Sequence, residues 1–282
     1  MGFMDRDRES VKARDGERLS DTPVSARVFR DGFARFARTV LDHIYPPACM
    51  SCDIVVGVAD SLCPECWSRL RPITSPMCPV LGLPFEVSIG PDALSAEAIA
   101  NPPPFSRARS AVLHNEIASS LVSRLKFGDR PELAKFCARL MLGAGAELLE
   151  REEDEQAPVL VPVPLHRSRQ WRRRYNQANE LARLLGSLGG MEVLPLLVRR
   201  RRATRAQIGL SASQRARNVA GAFEAAPDAL AAVAGRRIII VDDVITTGST
   251  VSALSKVLLG QGVAKIDVLS FSRVVIGDAG VL

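Results

Sequence analysis

Apolar residues recur at two distinct periods along this chain, and the change of period sorts it into helices and strands. Between Val24 and Ile44, the residues Val28, Phe29, Phe33, Phe36, Val40, Leu41 and Ile44 repeat at helical spacing, and Pro46-Pro47 ends the run. An amphipathic helix is expected there. Its apolar face should pack on the protein, since the polar face is not basic enough to favour a membrane. From Phe105 onward, short apolar runs alternate with longer amphipathic ones. Strands are expected at Ala111-Val112-Leu113, Val159 to Val163, Met191 to Val198, Arg236 to Val241 and Lys265 to Phe271. Helices are expected at Glu116 to Phe127, Glu132 to Leu149, Asn176 to Leu188 and Ser249 to Leu259. This alternation predicts an α/β fold, a parallel sheet flanked by helices.

The segments outside these periods set the domain organisation. Residues 1–24 mix charges with Gly, Ser and Pro and read as a mobile tail. Residues 25–104 carry the amphipathic helix, two cysteine pairs and a segment, 71–106, rich in Pro and Gly. That segment reads as an irregular linker or a degenerate extension of the cysteine module. Residues 105–282 form the α/β domain. No internal repeat is visible.

Composition narrows the picture only slightly. Of the 282 residues 47% are hydrophobic and 24% charged, as in ordinary soluble domains. With 2 Trp and 2 Tyr there are few stacking platforms for nucleic acid. The net charge of +6, mostly arginine, favours anionic partners without choosing between phosphates and nucleic acid. Met1 to Glu17 lack the apolar core of a signal peptide, and no run approaches the roughly 18 apolar residues of a membrane span. A cytoplasmic protein without membrane insertion is expected, and clustered cysteines there point to metal rather than disulfides.

The sharpest chemistry lies where the strand Arg236 to Val241 stops. Three Ile and a Val in succession mark a buried parallel strand, and Asp242 and Asp243 follow at its carboxyl end, where open α/β sheets bind ligands. A turn of small residues, Thr246-Thr247-Gly248-Ser249-Thr250, then opens a helix. Such a turn aims backbone N–H groups and the positive end of the helix dipole at a phosphate. The two acids suit ribose hydroxyls or a Mg²⁺ ion instead. No Gly-x4-Gly-Lys-Ser/Thr loop of nucleoside triphosphatases occurs in the chain. The stretch Val241 to Thr250 resembles the 5-phosphoribosyl-1-pyrophosphate (PRPP) motif of type I phosphoribosyltransferases. That resemblance implies ribose contacts for Asp242 and Asp243, and a phosphate cradle from Val244, Ile245, Thr246, Thr247, Gly248, Ser249 and Thr250, with Mg²⁺ accompanying PRPP.

Two arginine-rich stretches add anion-binding capacity. After Val159-Leu160-Val161-Pro162-Val163-Pro164 comes a loop carrying Arg167, Arg169, Arg172, Arg173 and Arg174, suited to multi-contact recognition of pyrophosphate. Further on, Arg199-Arg200-Arg201-Arg202 precedes Thr204, Gln207, Leu210, Arg215 and Asn218. This run is read either as a solvated face or as a nucleic-acid backbone contact. Together with the PRPP motif, these elements resemble the ComF family, phosphoribosyltransferase-like proteins associated with competence for DNA uptake. The resemblance covers roughly residues 26–282. It implies a type I phosphoribosyltransferase fold and PRPP contacts from Arg167, Arg169, Arg174, Arg202 and Gln207. By the same resemblance, 199–218 is a segment that closes over the reacting centre. Here Arg173-Arg174-Tyr175-Asn176-Gln177 departs from the family's Arg-Arg-Gly-Phe-Asn-Gln.

Cys49-Met-Ser-Cys52 and Cys63-Pro-Glu-Cys66 are two C-x2-C pairs ten residues apart. Four thiolates from two such knuckles make a closed tetrahedral Zn²⁺ site. ComF-like proteins often carry a second pair of knuckles. In this chain Cys78 stands alone, with Leu81 where its partner would be, so one structural zinc is expected and the second site is lost. Two functions stay open. One is phosphoribosyl transfer from PRPP to an unknown acceptor with release of pyrophosphate. The other is a non-catalytic DNA-uptake or DNA-handling protein, with single-stranded DNA and the uptake machinery as partners.

Overall fold

The strand Arg237–Ile245 (β5) is apolar on both faces over Ile238 to Val241, so it needs cover on each side. The computed structural model supplies it. The structure describes residues 46–88, 90, 92–127, 131–150, 156–166, 176–202 and 212–275. The expected tail, the expected helix at Val24 to Ile44 and the arginine loop at 167–175 lie outside these residues. Four parallel strands, Arg107–Leu113 (β1), Lys265–Arg273 (β6), β5 and Val159–Pro162 (β2), lie side by side in that order. Alternate residues of the central strands face opposite ways. Ile239, Val241, Leu269 and Phe271 pack with the helices Glu116–Phe127, Pro131–Ala144 and Gln177–Gly189. Ile238, Ile240, Ile266 and Val268 pack with the helix Ser249–Leu259 on the other side. The expected three-layer α/β architecture is therefore present.

Three expectations need correction. β5 does not stop at Val241; it pairs with β6 on through Asp242↔Ser270, Val244↔Ser272 and Ile245↔Arg273, because β6 is long enough to carry the ladder past the acids. The strand expected at Met191 to Val198 is reduced to one parallel bridge, Leu160↔Val193. Pro195 follows, cannot donate to a ladder, and turns the chain away. It then enters a separate antiparallel hairpin, Val198–Arg200 (β3) with Phe223–Ala225 (β4), which the hydrophobic pattern does not announce. The helix expected at Glu132 to Leu149 breaks at Gly145 into Pro131–Ala144 and Ala146–Leu149. A Cβ at Gly145 would lie 2.9 Å from two methyls of Leu269, so the break lets the chain press onto the sheet.

The cysteine module is not loosely tethered. From Pro47 on, the chain forms one compact unit. Cys49, Met50, Leu62, Cys63, Cys66 and Leu70 share a core with Ile117, Leu121 and Leu125, and Trp67 meets Phe136 edge to face at 6.2 Å. The segment after it runs along β1: Leu113 donates to the carbonyl of Arg71, Ile73 to Ala111 and Ala108 to Val80.

At the amino ends of the strands, a buried ion pair ties the sheet together. Asp267, wholly buried on β6, accepts from Arg237 Nε at 3.0 Å and Nη2 at 2.8 Å, and Arg107 Nε lies 3.5 Å from its other oxygen. Arg237 also donates to the carbonyls of Leu148 and Glu150. Removing one partner of such a pair leaves a buried charge uncompensated. Asp267→Ala is expected to destabilise the protein by about 3–5 kcal/mol, measured by urea unfolding of the zinc-loaded chain.

Candidate functional site

Cys49 and Cys52 sit on a tight turn, and Cys63 caps the helix Pro64–Arg69, which carries Cys66. The four sulfurs all lie within 4.8 Å of one another. Backbone N–H groups of Ser51 and Cys63 point at Cys49 Sγ at 3.5 and 3.2 Å. Burial pushes the Cys49 thiol up, but the N–H groups of Cys63, Cys52 and Ser51 outweigh it and bring it down to about 6. Cys66 is pushed up to about 12 by burial and by the thiols beside it. A metal must displace that proton, so uptake of Zn²⁺ releases protons. The four-sulfur donor set fits a tetrahedral structural zinc.

The same architecture recurs without the ligands. Cys49 N–H donates to Ile54, Asp53 to Cys49 and Val56 to Pro47; in step, Cys78 donates to Leu83, Gly82 to Cys78 and Phe85 to Pro76. The bridges Ala48↔Val55 and Met77↔Pro84 correspond. Asp53 and Gly82 both take the left-handed conformation, at φ of 63° and 62°. Ser95 caps the short helix Ala96–Ala100 as Cys63 caps its own, and its N–H points at Cys78 Sγ at 3.4 Å, as that of Cys63 does at Cys49. The positions matching Cys49, Cys52, Cys63 and Cys66 are thus Cys78, Leu81, Ser95 and Ala98. An internal repeat therefore exists that the sequence signals only at Cys78 and Leu81, because three of its four marker residues have changed. Leu81, Ala98 and Cys78 are buried together in the core on the Ile238 side of the sheet. Apolar packing holds there what metal holds in the first copy. Among the described residues, only the first set can form a metal cluster.

At the carboxyl end of β5, Asp242 Oδ1 accepts from the N–H of Asp243, and Asp243 Oδ1 from that of Val244, each at 2.9 Å. These bonds turn both carboxylates along the strand end. Asp242 keeps some surface, but its carboxyl is densely surrounded, and this desolvation, with the adjacent charge of Asp243, holds its pKa well above the usual carboxylate value. Thr247 Oγ1 and Ser249 Oγ are hydrogen-bonded at 2.8 Å across the turn. Gly248 stands at φ 71°, which an L side chain rarely adopts, while a Cβ there would meet only a Val251 methyl at an ordinary 4.0 Å. Backbone conformation, not crowding, requires the glycine. Beyond it, the first turn of the Ser249–Leu259 helix presents the N–H groups that have no intrahelical partner. Val244 to Thr250 are gathered at one rim, Ile245 buried and the others half-buried.

Residues that no motif marked also gather here. His114, just past β1, bonds Ser272 Oγ through Nδ1 at 2.9 Å. Burial and the charge of Lys126 lower its pKa against the opposing field of Asp243. Lys126, at the end of the Glu116–Phe127 helix, also pulls against the rise at Asp242. Its carbonyl accepts from Gln177, and Asn176 donates to Val163, so the conspicuous Asn176-Gln177 pair ties its helix to this rim. Isolated single residues at element ends carry no spacing signal, which is why sequence reading passed over them. Arg202 Nη2 donates to the carbonyls of Asn218 and Ala220, closing the carboxyl end of the helix Ala212–Val219. Arg200 is buried with its guanidinium 5.4 Å from the Phe223 ring centre, and Arg201 pairs with Glu224. Arg167, Arg169, Arg174 and Gln207 lie outside the described residues.

Comparison with known proteins matches residues 40–99 to the double zinc ribbon domain and 175–273 to the phosphoribosyl transferase domain. The DNA utilization protein YhgH of Escherichia coli is 34% identical over 232 residues, covering 81% of this chain and 97% of the relative. Competence protein F of Haemophilus influenzae is 37% identical, over 56% of this chain and 69% of the relative. Competence protein ComFC of Bacillus subtilis is 26% identical, over 73% and 80%. The chain belongs to the ComF family. Among solved structures, adenine phosphoribosyltransferase from Thermoanaerobacter pseudethanolicus overlaps 55% of this ComF-family chain and 85% of its own, at 16% identity and TM-score 0.32. The protein TT1426 from Thermus thermophilus overlaps 51% and 84%, at 16% identity and TM-score 0.31. The phosphoribosyltransferase fold assignment rests on the family match and the parallel sheet.

The double-ribbon match and the repeat geometry agree, with the second ribbon of this ComF protein keeping only Cys78 of its four ligand positions. Metal analysis of the purified chain is expected to return one zinc per molecule, falling to none in Cys49→Ser. A value of two would contradict the apolar replacement at Leu81 and Ala98. The raised pKa of Asp242 gives a second expectation. The fold favours its protonated form, so stability is lost as pH rises from about the ordinary value of 3.8 through the raised one. Asp242→Asn, free of ligand, should therefore melt at higher temperature than the parent at neutral pH. That gain should shrink towards zero as pH falls to the ordinary carboxylate range.

Proposed function

We propose that the rim of β5 binds PRPP with Mg²⁺. The observation that carries this reading is the strand end itself: two adjacent carboxylates, a left-handed glycine and a hydroxyl-rich turn feeding a helix amino end, all in the stretch Asp242 to Thr250. Asp242 and Asp243 would hold the ribose hydroxyls and the cation. Thr246 to Thr250 would take the 5′-phosphate, for which helix N–H groups and dipole are suited. Mg²⁺ would neutralise pyrophosphate as it leaves. Phosphoribosyl transfer places positive charge on ribose C1 and negative charge on pyrophosphate, and the arginines at 167–174 are the candidates to stabilise the latter. Asp242, densely enclosed and next to Asp243, would ionise fully once a diol or cation compensates its charge. We take the acceptor to be unassigned, and the location to be cytoplasmic; among the described residues no helix is long and apolar enough to cross a membrane.

A second reading is favoured by the names of the relatives, which refer to DNA utilization and competence. In it, the chain handles single-stranded DNA with the uptake machinery, and PRPP is a sensed ligand. Isothermal titration with PRPP and Mg²⁺ separates the two. The parent chain is expected to bind, and Asp242→Asn/Asp243→Asn to lose at least tenfold in affinity. No binding by the parent would end the PRPP reading. Single-stranded DNA binding that survives undiminished in the double variant, with a steep salt dependence, would support separate DNA handling.

A further inference from the structure

A cavity of about 670 Å³ lies between the ligand-free second ribbon and the Ser249–Leu259 helix. Its walls include Phe105 and the prolines 102–104 on one side, and Ser252 and Lys256 on the other. Thr247, Gly248 and Ser249 form one end, so the cavity adjoins the phosphate turn without including Asp242 or Asp243. Arg273, the last residue of β6, also lines it.

Arg273 is the unusual element. Its side chain is 2% exposed, yet Nε and Nη1 have no hydrogen-bond partner among the described residues. Nη2 has only the Glu97 carboxylate, at 3.9 Å, and Glu97 is itself half exposed. Burial lowers the pKa of this guanidinium, with Glu97 and Cys78 opposing that shift. Two other buried arginines are held differently: Arg237 is tied to Asp267 and two carbonyls, and Arg109 to Glu147 and two carbonyls. A buried guanidinium short of hydrogen bonds, lining a cavity beside an exposed lysine and with only Glu97 as a distant counter-charge, is a binding point for an anion.

We propose that this cavity binds an organic phosphate, its anionic group on Arg273 and Lys256 and its body against Phe105 and the adjoining prolines. Phosphate fits better than carboxylate, because Arg273, Lys256 and Ser252 together offer more donors than two oxygens absorb. The volume lies in the range of small-molecule sites. The loss of zinc ligands from the second ribbon gives this wall its apolar character: Leu81, where a ligand stood in the repeat, lines the cavity. The turn Thr247 to Ser249 is common to this cavity and to the proposed PRPP site, so occupancy of one is expected to change affinity at the other, reciprocally.

The test uses the full zinc-loaded chain and deoxythymidine 5′-monophosphate, which lacks the vicinal diol that the acidic pair would grip. Binding is followed by isothermal titration. Thymidine and inorganic phosphate serve as arms lacking the anion and the body. The nucleotide is expected to bind at least tenfold tighter than either arm. Affinity should fall at least tenfold in Arg273→Gln and severalfold in Lys256→Glu, and stay within twofold of the parent in Asp242→Asn/Asp243→Asn. Lys256 is exposed, so its variant reads the site even where Arg273→Gln perturbs folding. No nucleotide binding by the parent overturns the proposal, as does binding that neither Arg273→Gln nor Lys256→Glu weakens. Loss of nucleotide binding in the double aspartate variant would place the phosphate in the PRPP site and also overturn it. A failure of PRPP binding with retained, Arg273-dependent nucleotide binding would sink the PRPP reading alone.

Discussion

The ladder between β5 and β6 is the constraint on which the site depends. It continues past the last apolar residue of the buried run to Ile245↔Arg273. That extension holds Asp242 and Asp243 in strand geometry, side by side, despite their repulsion. It also fixes where the chain leaves the sheet, and so where the turn Thr246 to Thr250 and its helix begin. At the opposite end of the same two strands, Arg237 and Asp267 bury an ion pair within the sheet. One end of the ladder is therefore a closed, fully compensated charge system. The other is a pair of like charges that a ligand or cation would relieve. Stability is concentrated at the amino ends and chemical potential at the carboxyl ends, the usual division in open parallel sheets.

The two ribbons show how one backbone motif survives the exchange of its stabilising interaction. In the first copy, four thiols converge within reach of one ion. In the second, the hydrogen bonds of the knuckle persist around Cys78, but Leu81 and Ala98 fill the ligand positions and join the core on the Ile238 side. A metal tetrad demands particular atoms at particular distances. An apolar cluster demands only volume and burial. The copies also pack on opposite faces of the sheet, so the module braces the domain from both sides.

Arginine enrichment proved less uniform than the composition suggests. Within the run Arg199 to Arg202, strand periodicity buries Arg200 on Phe223, while Arg201 pairs with Glu224 and Arg202 caps a helix end. The run, read as a solvated face or a nucleic-acid contact, is thus partly structural. By contrast Arg273, isolated in sequence at the end of a strand, is buried with two guanidinium nitrogens lacking a partner among the described residues. Charge density along the chain and charge availability in the fold are different quantities.

By itself the sequence determined the α/β class, the extent of most of the main helices, the four clustered cysteines and the composition of the Asp242 to Thr250 rim. In each case local chemistry suffices: hydrophobic period sets the element, and ligand spacing or turn composition sets the site. Tertiary structure decided the rest. The length of β5 depends on its partner strand, and the loss of the strand at Met191 to Val198 depends on what Pro195 can no longer pair with. The second ribbon is encoded mainly in backbone hydrogen bonds, which any residue can make, so the sequence marked only its Cys78 and Leu81 positions. His114, Lys126, Ser272 and Arg273 acquire their surroundings only because β1 and the helix after it are paired in space with β6, some 150 residues further along the chain. Contacts of that kind have no period and no spacing to read.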